Sequence, residues 1–177
     1  MRSETSEKMR AQKNDAYFEE IIEKNKYKLY RICSIYAVNP IEPEDLFQDV
    51  IFQIWKSLEH FKGTSTIDTF VYKIALNVCM RSKMKFEKTN DKTDRFQSIH
   101  FTPIENEIDA SEQEKFRFLK ECISTLNETD TSLIVLYLDD LSYKKIAEIT
   151  GFSENHIAVK MKRIRKKLFE CIAPKIK

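Results

Sequence analysis

A chain of 177 residues, 42% of them hydrophobic and 33% charged, can form one domain of ordinary size or two small ones, with a buried core and a soluble surface. It has only two glycines, Gly63 and Gly151, and four prolines. That nearly excludes Gly-rich phosphate loops and turn-dense all-β folds, and favours a helical protein in which each glycine marks a particular turn. The net charge of +2 hides an asymmetry: residues 142–177 hold 10 Lys+Arg against 3 Asp+Glu, while the rest is net acidic. A basic tail of this kind suits a polyanion partner.

Residues 1–14 are polar and predict a frayed end. From Phe18, spacings of three and four through Ile21, Ile22, Leu29, Ile32, Cys33 and Tyr36 predict an amphipathic helix ending near Asn39 and Pro40. Pro43 suits the first turn of a second helix, with Glu44 and Asp45 at its dipole-favoured start. Its apolar stripe is Phe47, Val50, Ile51, Ile54 and Leu58; Gln48, Asp49, Phe52, Gln53 and Lys56 face away. After a loop holding Gly63, a third helix is predicted from about Ile67 to Lys85. Residues 87–111 lose the pattern and read as a linker. It joins two small helical domains, 15–86 and 112–172, in an all-α protein.

The second domain is predicted as four helices. A capping box from Ser111 to Glu114 opens the first, and Asn127 caps the second. The third begins at Ser142 and is broken by Gly151; the fourth begins at Ser153 and repeats Ile157, Met161, Ile164 and Leu168. Helices of these lengths across a one-glycine turn, with small Ala147 at the crossing, match a helix-turn-helix. The fourth helix first exposes Asn155, His156, Ala158 and Val159, in the place that enters a major groove. Lys160, Lys162, Arg163 and Lys166 follow and can neutralise phosphates.

The four cysteines, Cys33, Cys79, Cys122 and Cys171, are far apart without a CxxC pair and read as free, buried, small hydrophobes. The three histidines are scattered, so neither a metal site nor a cofactor is expected. No nucleophile–base pair is visible, so no enzyme and no small-molecule substrate are expected. The start lacks the apolar core of a signal peptide, and the longest apolar run, Leu133–Leu138, is too short to span a bilayer. A cytoplasmic protein without direct membrane insertion is the expectation.

The strings DLFQDVIFQIW (residues 45–55) and FKGTSTIDTFVYKIALN (residues 61–77), followed by the helix-turn-helix, resemble the sigma-70 superfamily. More narrowly, the chain resembles RNA polymerase sigma factors of the extracytoplasmic-function (ECF) type, over about residues 15–172. The resemblance implies that 15–86 is region 2 and 112–172 is region 4. Asp45, Leu46, Gln48, Asp49, Gln53 and Trp55 would bind the clamp coiled coil of core RNA polymerase, whose flap is a further contact. Phe70, Lys73, Asn77, Arg81 and Lys83 would hold the melted −10 element. Ser153, Asn155, His156, Ala158, Val159, Lys160, Lys162, Arg163 and Lys166 would read the −35 element. An anti-sigma factor is an implied partner. Two departures bear on DNA reading: the family usually has Trp at Phe70, and Ala158 and Val159 replace early basic residues. These two can meet a thymine methyl but cannot bond guanine, so an A·T-leaning −35 element is expected. The alternative is a stand-alone helix-turn-helix regulator with an N-terminal sensing or dimerisation domain.

Overall fold

The computed structural model describes the backbone of residues 2–38, 40–89 and 110–176, and the side chains of 15–38, 40–86, 88 and 114–176. Seven helices and no strands occur among the described residues: α1 (Arg2–Tyr36), α2 (Pro43–Leu58), α3 (Ile67–Thr89), α4 (Ala110–Ser124), α5 (Glu128–Leu138), α6 (Tyr143–Thr150) and α7 (Glu154–Ile172). α1–α3 form one bundle and α4–α7 a second.

α1 starts far earlier than its apolar stripe. Its first turns contain Glu, Lys, Met, Arg, Ala and Gln without Gly or Pro, a composition whose intrinsic preference is helical. The stretch expected as a linker, 87–111, lies outside the described residues from 90 to 109; its two ends are helical, in α3 and α4. α4 begins at Ala110, so Ser111 is already inside the helix rather than ahead of it.

Turn chemistry sets the remaining bounds. Pro43 opens α2, and the Thr66 hydroxyl accepts from the Thr69 amide at 3.3 Å at the start of α3. Asn127, Ser142 and Ser153 each accept from the amide three residues on, satisfying donors that α5, α6 and α7 would otherwise leave unpaired. Gly151 closes α6 at φ +81°, which only glycine adopts without cost. Asp140 is also left-handed, at φ 58°, where α5 ends. The Leu141 amide bonds the Leu136 carbonyl there at 3.4 Å, the reverse turn of a Schellman end.

The two bundles bury separate stripes. Leu29, Ile32, Cys33 and Tyr36 of α1 meet Leu46, Val50 and Ile54 of α2 and Val71, Ala75 and Cys79 of α3. Ile157, Met161, Ile164 and Leu168 of α7 recur every three or four residues against α4, α5 and α6. α5 is buried nearly all round from Asp130 to Leu136, because α3 and α1 cover the side that α6 and α7 leave open: Tyr36 bonds Ser132 at 2.9 Å, and Ser132 also meets the Met80 sulfur at 3.6 Å. α6 packs on α3, with Lys145 donating to Thr66 at 2.6 Å.

The cysteines do not all stay free. Cys33 and Cys79 are thiols, their sulfurs 3.8 Å apart, but Cys122 and Cys171 are disulfide-bonded. A separation of 49 residues conceals that pairing in the sequence; the antiparallel return of α7 along α4 creates it.

Candidate nucleic-acid interface

Three helix faces stay open after the bundles pack. On α7, the face opposite the buried stripe carries Asn155, Val159, Lys162, Arg163 and Lys166, all exposed. Ser153 sits at the helix start as its cap, so its hydroxyl is occupied by the His156 amide at 3.3 Å. His156 is exposed and stacks on Phe152 with ring centres 5.0 Å apart. Ala158 is half-buried on the flank.

Lys160 departs from its expected role. It points toward α5, donates to Asp130 at 2.7 Å and is only partly exposed, so its charge is largely answered inside the protein. Lys167 reaches the same carboxylate at 3.8 Å. Asp130, His156, Val159, Lys160, Arg163 and Lys167 together line a shallow cleft of about 310 Å³ between α5 and α7.

On α3, Lys73, Asn77, Arg81 and Met84 form one exposed face at helical spacing. Phe70 continues that face but is half-buried, packed on Phe61 with ring centres 4.8 Å apart. Lys83 falls on a different side. Its ammonium meets Glu128 of α5 at 2.6 Å, so the packing of the second bundle takes it out of the open face. Tyr72 is buried, and burial pushes its hydroxyl up to about 12.

On α2, Asp45, Gln48, Asp49 and Trp55 are exposed, and Gln53 is half-buried with its amide on Ser57 at 3.0 Å. Leu46 is 1% exposed and belongs to the core; its burial removes it from this face. Phe52 takes its place. It is 60% exposed and stacks with Trp55, which is 50% exposed, at 6.4 Å. Phe52 lies three residues before Trp55, the same-face spacing of a helix, and that signal was legible in the sequence.

The two bundles are fastened by polar contacts. The Asp139 carboxylate, at the end of α5, is paired with Arg31 of α1 and accepts from the Tyr72 hydroxyl of α3 at 3.2 Å. Asp139 is fully buried in its side chain, so both donors offset the cost of desolvating it. On α4, Lys120 is buried with no hydrogen-bond partner for its ammonium; burial pushes it down to about 8, against the opposing pull of Glu42.

Among the described residues no three His, Cys, Asp or Glu side chains are grouped to hold a metal ion, and no helix is long and apolar enough to cross a membrane.

A capped helix-turn-helix with an open basic face, joined to a helical bundle with its own basic and aromatic faces, defines a DNA-binding protein of transcription. Family comparison agrees. The sigma-70 region 2 model matches residues 21–87 and the sigma-70 region 4 model matches residues 119–168, together well over half the chain. Two curated relatives from Bacillus subtilis (strain 168) are similar. RNA polymerase sigma factor SigV is 26% identical over 146 residues, 80% of this chain and 82% of the relative. RNA polymerase sigma factor YlaC is 28% identical over 130 residues, 71% and 74%. Among solved structures, CnrH in complex with the cytosolic domain of CnrY superposes with a TM-score of 0.67 at 17% identity, covering 90% of each chain. RpoE in complex with the anti-sigma factor NepR from Bartonella quintana gives 0.69 at 19% identity, covering 88% and 96%. The chain belongs to the sigma-70 family, as a sigma factor of the ECF type. It acts with RNA polymerase in promoter recognition and transcription initiation. Sigma factors are in general initiation factors rather than enzymes.

Proposed function

We propose that the three open faces divide the work of initiation. The α2 face of Asp45, Gln48, Asp49, Phe52 and Trp55 docks on the clamp coiled coil of core polymerase, with its stacked aromatic pair as the anchor. The α3 face of Lys73, Asn77, Arg81 and Met84 holds the separated −10 strand, where cations meet phosphates and apolar side chains meet base faces. The outward face of α7 enters the major groove at the −35 element: Asn155 and His156 offer polar contacts to base edges, Val159 offers a methyl contact, and Lys162, Arg163 and Lys166 hold phosphates.

The observation that carries this reading is the outward face of α7, left exposed directly opposite a buried stripe and set at a capped turn. It supports duplex reading by region 4 over simple solvation.

The packing of the two bundles adds a condition. Lys83 of α3 is held across the bundle boundary by Glu128 of α5, and Asp139, at the end of α5, holds Arg31 and Tyr72 in the same way. The −10 and −35 elements lie about 25 base pairs apart, roughly 85 Å along B-DNA at 3.4 Å per base pair. One closed molecule cannot reach both, so the bundles part before the chain spans a promoter. The likeness to folds solved with CnrY and with NepR supports an anti-sigma protein as the partner that keeps them closed.

Run-off transcription from a randomised promoter library, with core polymerase plus and minus this chain, tests the reading. Transcripts that start downstream of a shared −35/−10 pair only when the chain is present are expected. Tight, specific duplex binding by the chain alone, with no binding to core, overturns it in favour of a stand-alone regulator.

A further inference from the structure

Each bundle carries one cysteine pair, and each pair joins the first and last helix of its bundle. Cys33 and Cys79 link α1 to α3; Cys122 and Cys171 link α4 to α7. The two pairs differ in access. Cys33 and Cys79 are both fully buried and remain thiols. In the bonded pair Cys122 is fully buried, but Cys171, on the last turn of α7, is partly open to solvent.

We propose that the Cys122–Cys171 bond is a reversible redox staple of the −35-reading domain. The inference rests on the sigma-factor role, because a chain that meets DNA and polymerase works in a reducing compartment. Disulfides there are rare, and those that form are mostly transient or sensing.

The position of the bond says what it controls. Cys171 continues the inward stripe of Ile157, Met161, Ile164 and Leu168, on the side of α7 away from DNA. The bond therefore does not touch the promoter; it fixes α4 to the rear of the helix that does. Without it, α4 is held by the burial of Ile123 and Leu126, by Lys175–Glu121 at 2.6 Å, and by Lys175 over the Phe118 ring at 5.6 Å. A domain of this size buries little core, so a covalent tie across 49 residues is a large part of its stability.

The switching step is thiol–disulfide exchange with a dithiol. A dithiol thiolate attacks the accessible Cys171 Sγ, the S–S bond breaks, and Cys122 leaves as a thiolate that takes up a proton. The second thiol of the reductant then attacks the mixed disulfide and releases Cys171. Two electrons pass to the protein, both cysteines end as thiols, and the reductant ends as its own disulfide.

The experiment uses the full chain equilibrated in glutathione buffers from fully reduced to fully oxidised. Thiols are trapped after unfolding and located by mass spectrometry; the same samples are melted and titrated onto promoter duplex with core polymerase. Cys122 and Cys171 are expected to titrate together within the range glutathione sets, with Cys33 and Cys79 reduced throughout. Reduction is expected to lower the melting temperature of the second domain by at least about 10 °C and to weaken duplex binding about tenfold. The double variant C122A/C171A is expected to match the reduced chain in every buffer. If it does not fold, the wild-type chain in reduced buffer supplies the same comparison. Free Cys122 and Cys171 in oxidised buffer, a bond that survives every buffer, or identical melting and binding in both forms overturns the proposal. Loss of core binding in both redox forms instead counts against the sigma-factor reading, while thiol counts and melting still decide the staple.

Discussion

The Tyr72 hydroxyl of α3 donates to the Asp139 carboxylate of α5 at 3.2 Å, across the boundary between the two bundles. Arg31 of α1 pairs with the other oxygen of the same carboxylate. One buried acid thus gathers a donor from each of two helices in the first bundle. Replacing it with asparagine keeps the shape and removes the charge. Such charge-assisted bonds contribute about 1.5–3 kcal/mol each, so D139N should weaken the closed packing about tenfold or more. Small-angle scattering should show a larger radius of gyration, with −35 duplex binding by the isolated variant close to wild type because the α7 face is already open. An R31M/D139N double-mutant cycle separates the contact from the role of Asp139 at the end of α5.

Lys162 and Arg163 are exposed on the outward face of α7, and Arg163 also borders the cleft that Asp130 lines. K162Q and R163Q should each weaken promoter binding and lower the salt dependence by about one unit of log–log slope. Fluorescence anisotropy across a salt series, with core polymerase present, measures both. Unchanged transcription from both variants would remove α7 from the −35 element.

Phe52 and Trp55 are exposed, so truncating them costs the fold little, within about 0.5 kcal/mol. At the centre of an interface they would be anchors. The F52A/W55A variant should lose about thirtyfold or more in affinity for core polymerase, with a melting curve close to wild type. Pull-down and calorimetry distinguish that result from a loss by unfolding.

Gly151 and Asp140 both hold left-handed backbone, and their substitutions should act with opposite sign. A methyl added at Gly151 meets nothing within 4 Å, so G151A costs only the backbone strain at φ +81°, about 1–2 kcal/mol. D140G relieves strain at φ 58° at some cost in chain entropy, for a net gain of about 0.5–1 kcal/mol. Melting temperatures should fall for the first and rise by a few degrees for the second.

Lys120 makes stability depend on pH. Its ammonium ionises near the ordinary lysine value of 10.5 in the unfolded chain and is pushed down to about 8 in the folded one. Below about pH 8 the lysine is charged in both states and the burial cost is fully present. Between about 8 and 10.5 the unfolded chain binds more protons, so this residue's contribution rises with pH until the cost is gone. K120M should therefore be more stable than wild type at pH 7 by about 2 kcal/mol, after a discount for solvent screening. That advantage should vanish toward pH 10.5 in parallel denaturant titrations.

Much of this is legible in the sequence. The stripe of α7, its cap at Ser153 and the left-handed Gly151 follow from local periodicity and turn chemistry, which a single helix expresses by itself. Leu46 lies in the core rather than on the open face because the inward arc of α2 takes it together with Val50 and Ile54. Lys83 and Lys160 could not be read as partnered. Glu128 and Asp130 are 45 and 30 residues away, and only the packing of α5 brings them near. The Cys122–Cys171 bond was hidden for the same reason.

The shared carboxylate of Asp139 also ties the two ends of the molecule together thermodynamically. The α2 and α7 faces are open with the bundles closed, so opening is coupled only to partners that need the bundles apart: promoter DNA held at both elements at once and a polymerase that engages both bundles, each of which removes the opening cost for the other. By linkage each must raise the other's affinity by the same factor. A contact that touches neither polymerase nor DNA therefore sets how cooperatively the factor assembles on a promoter.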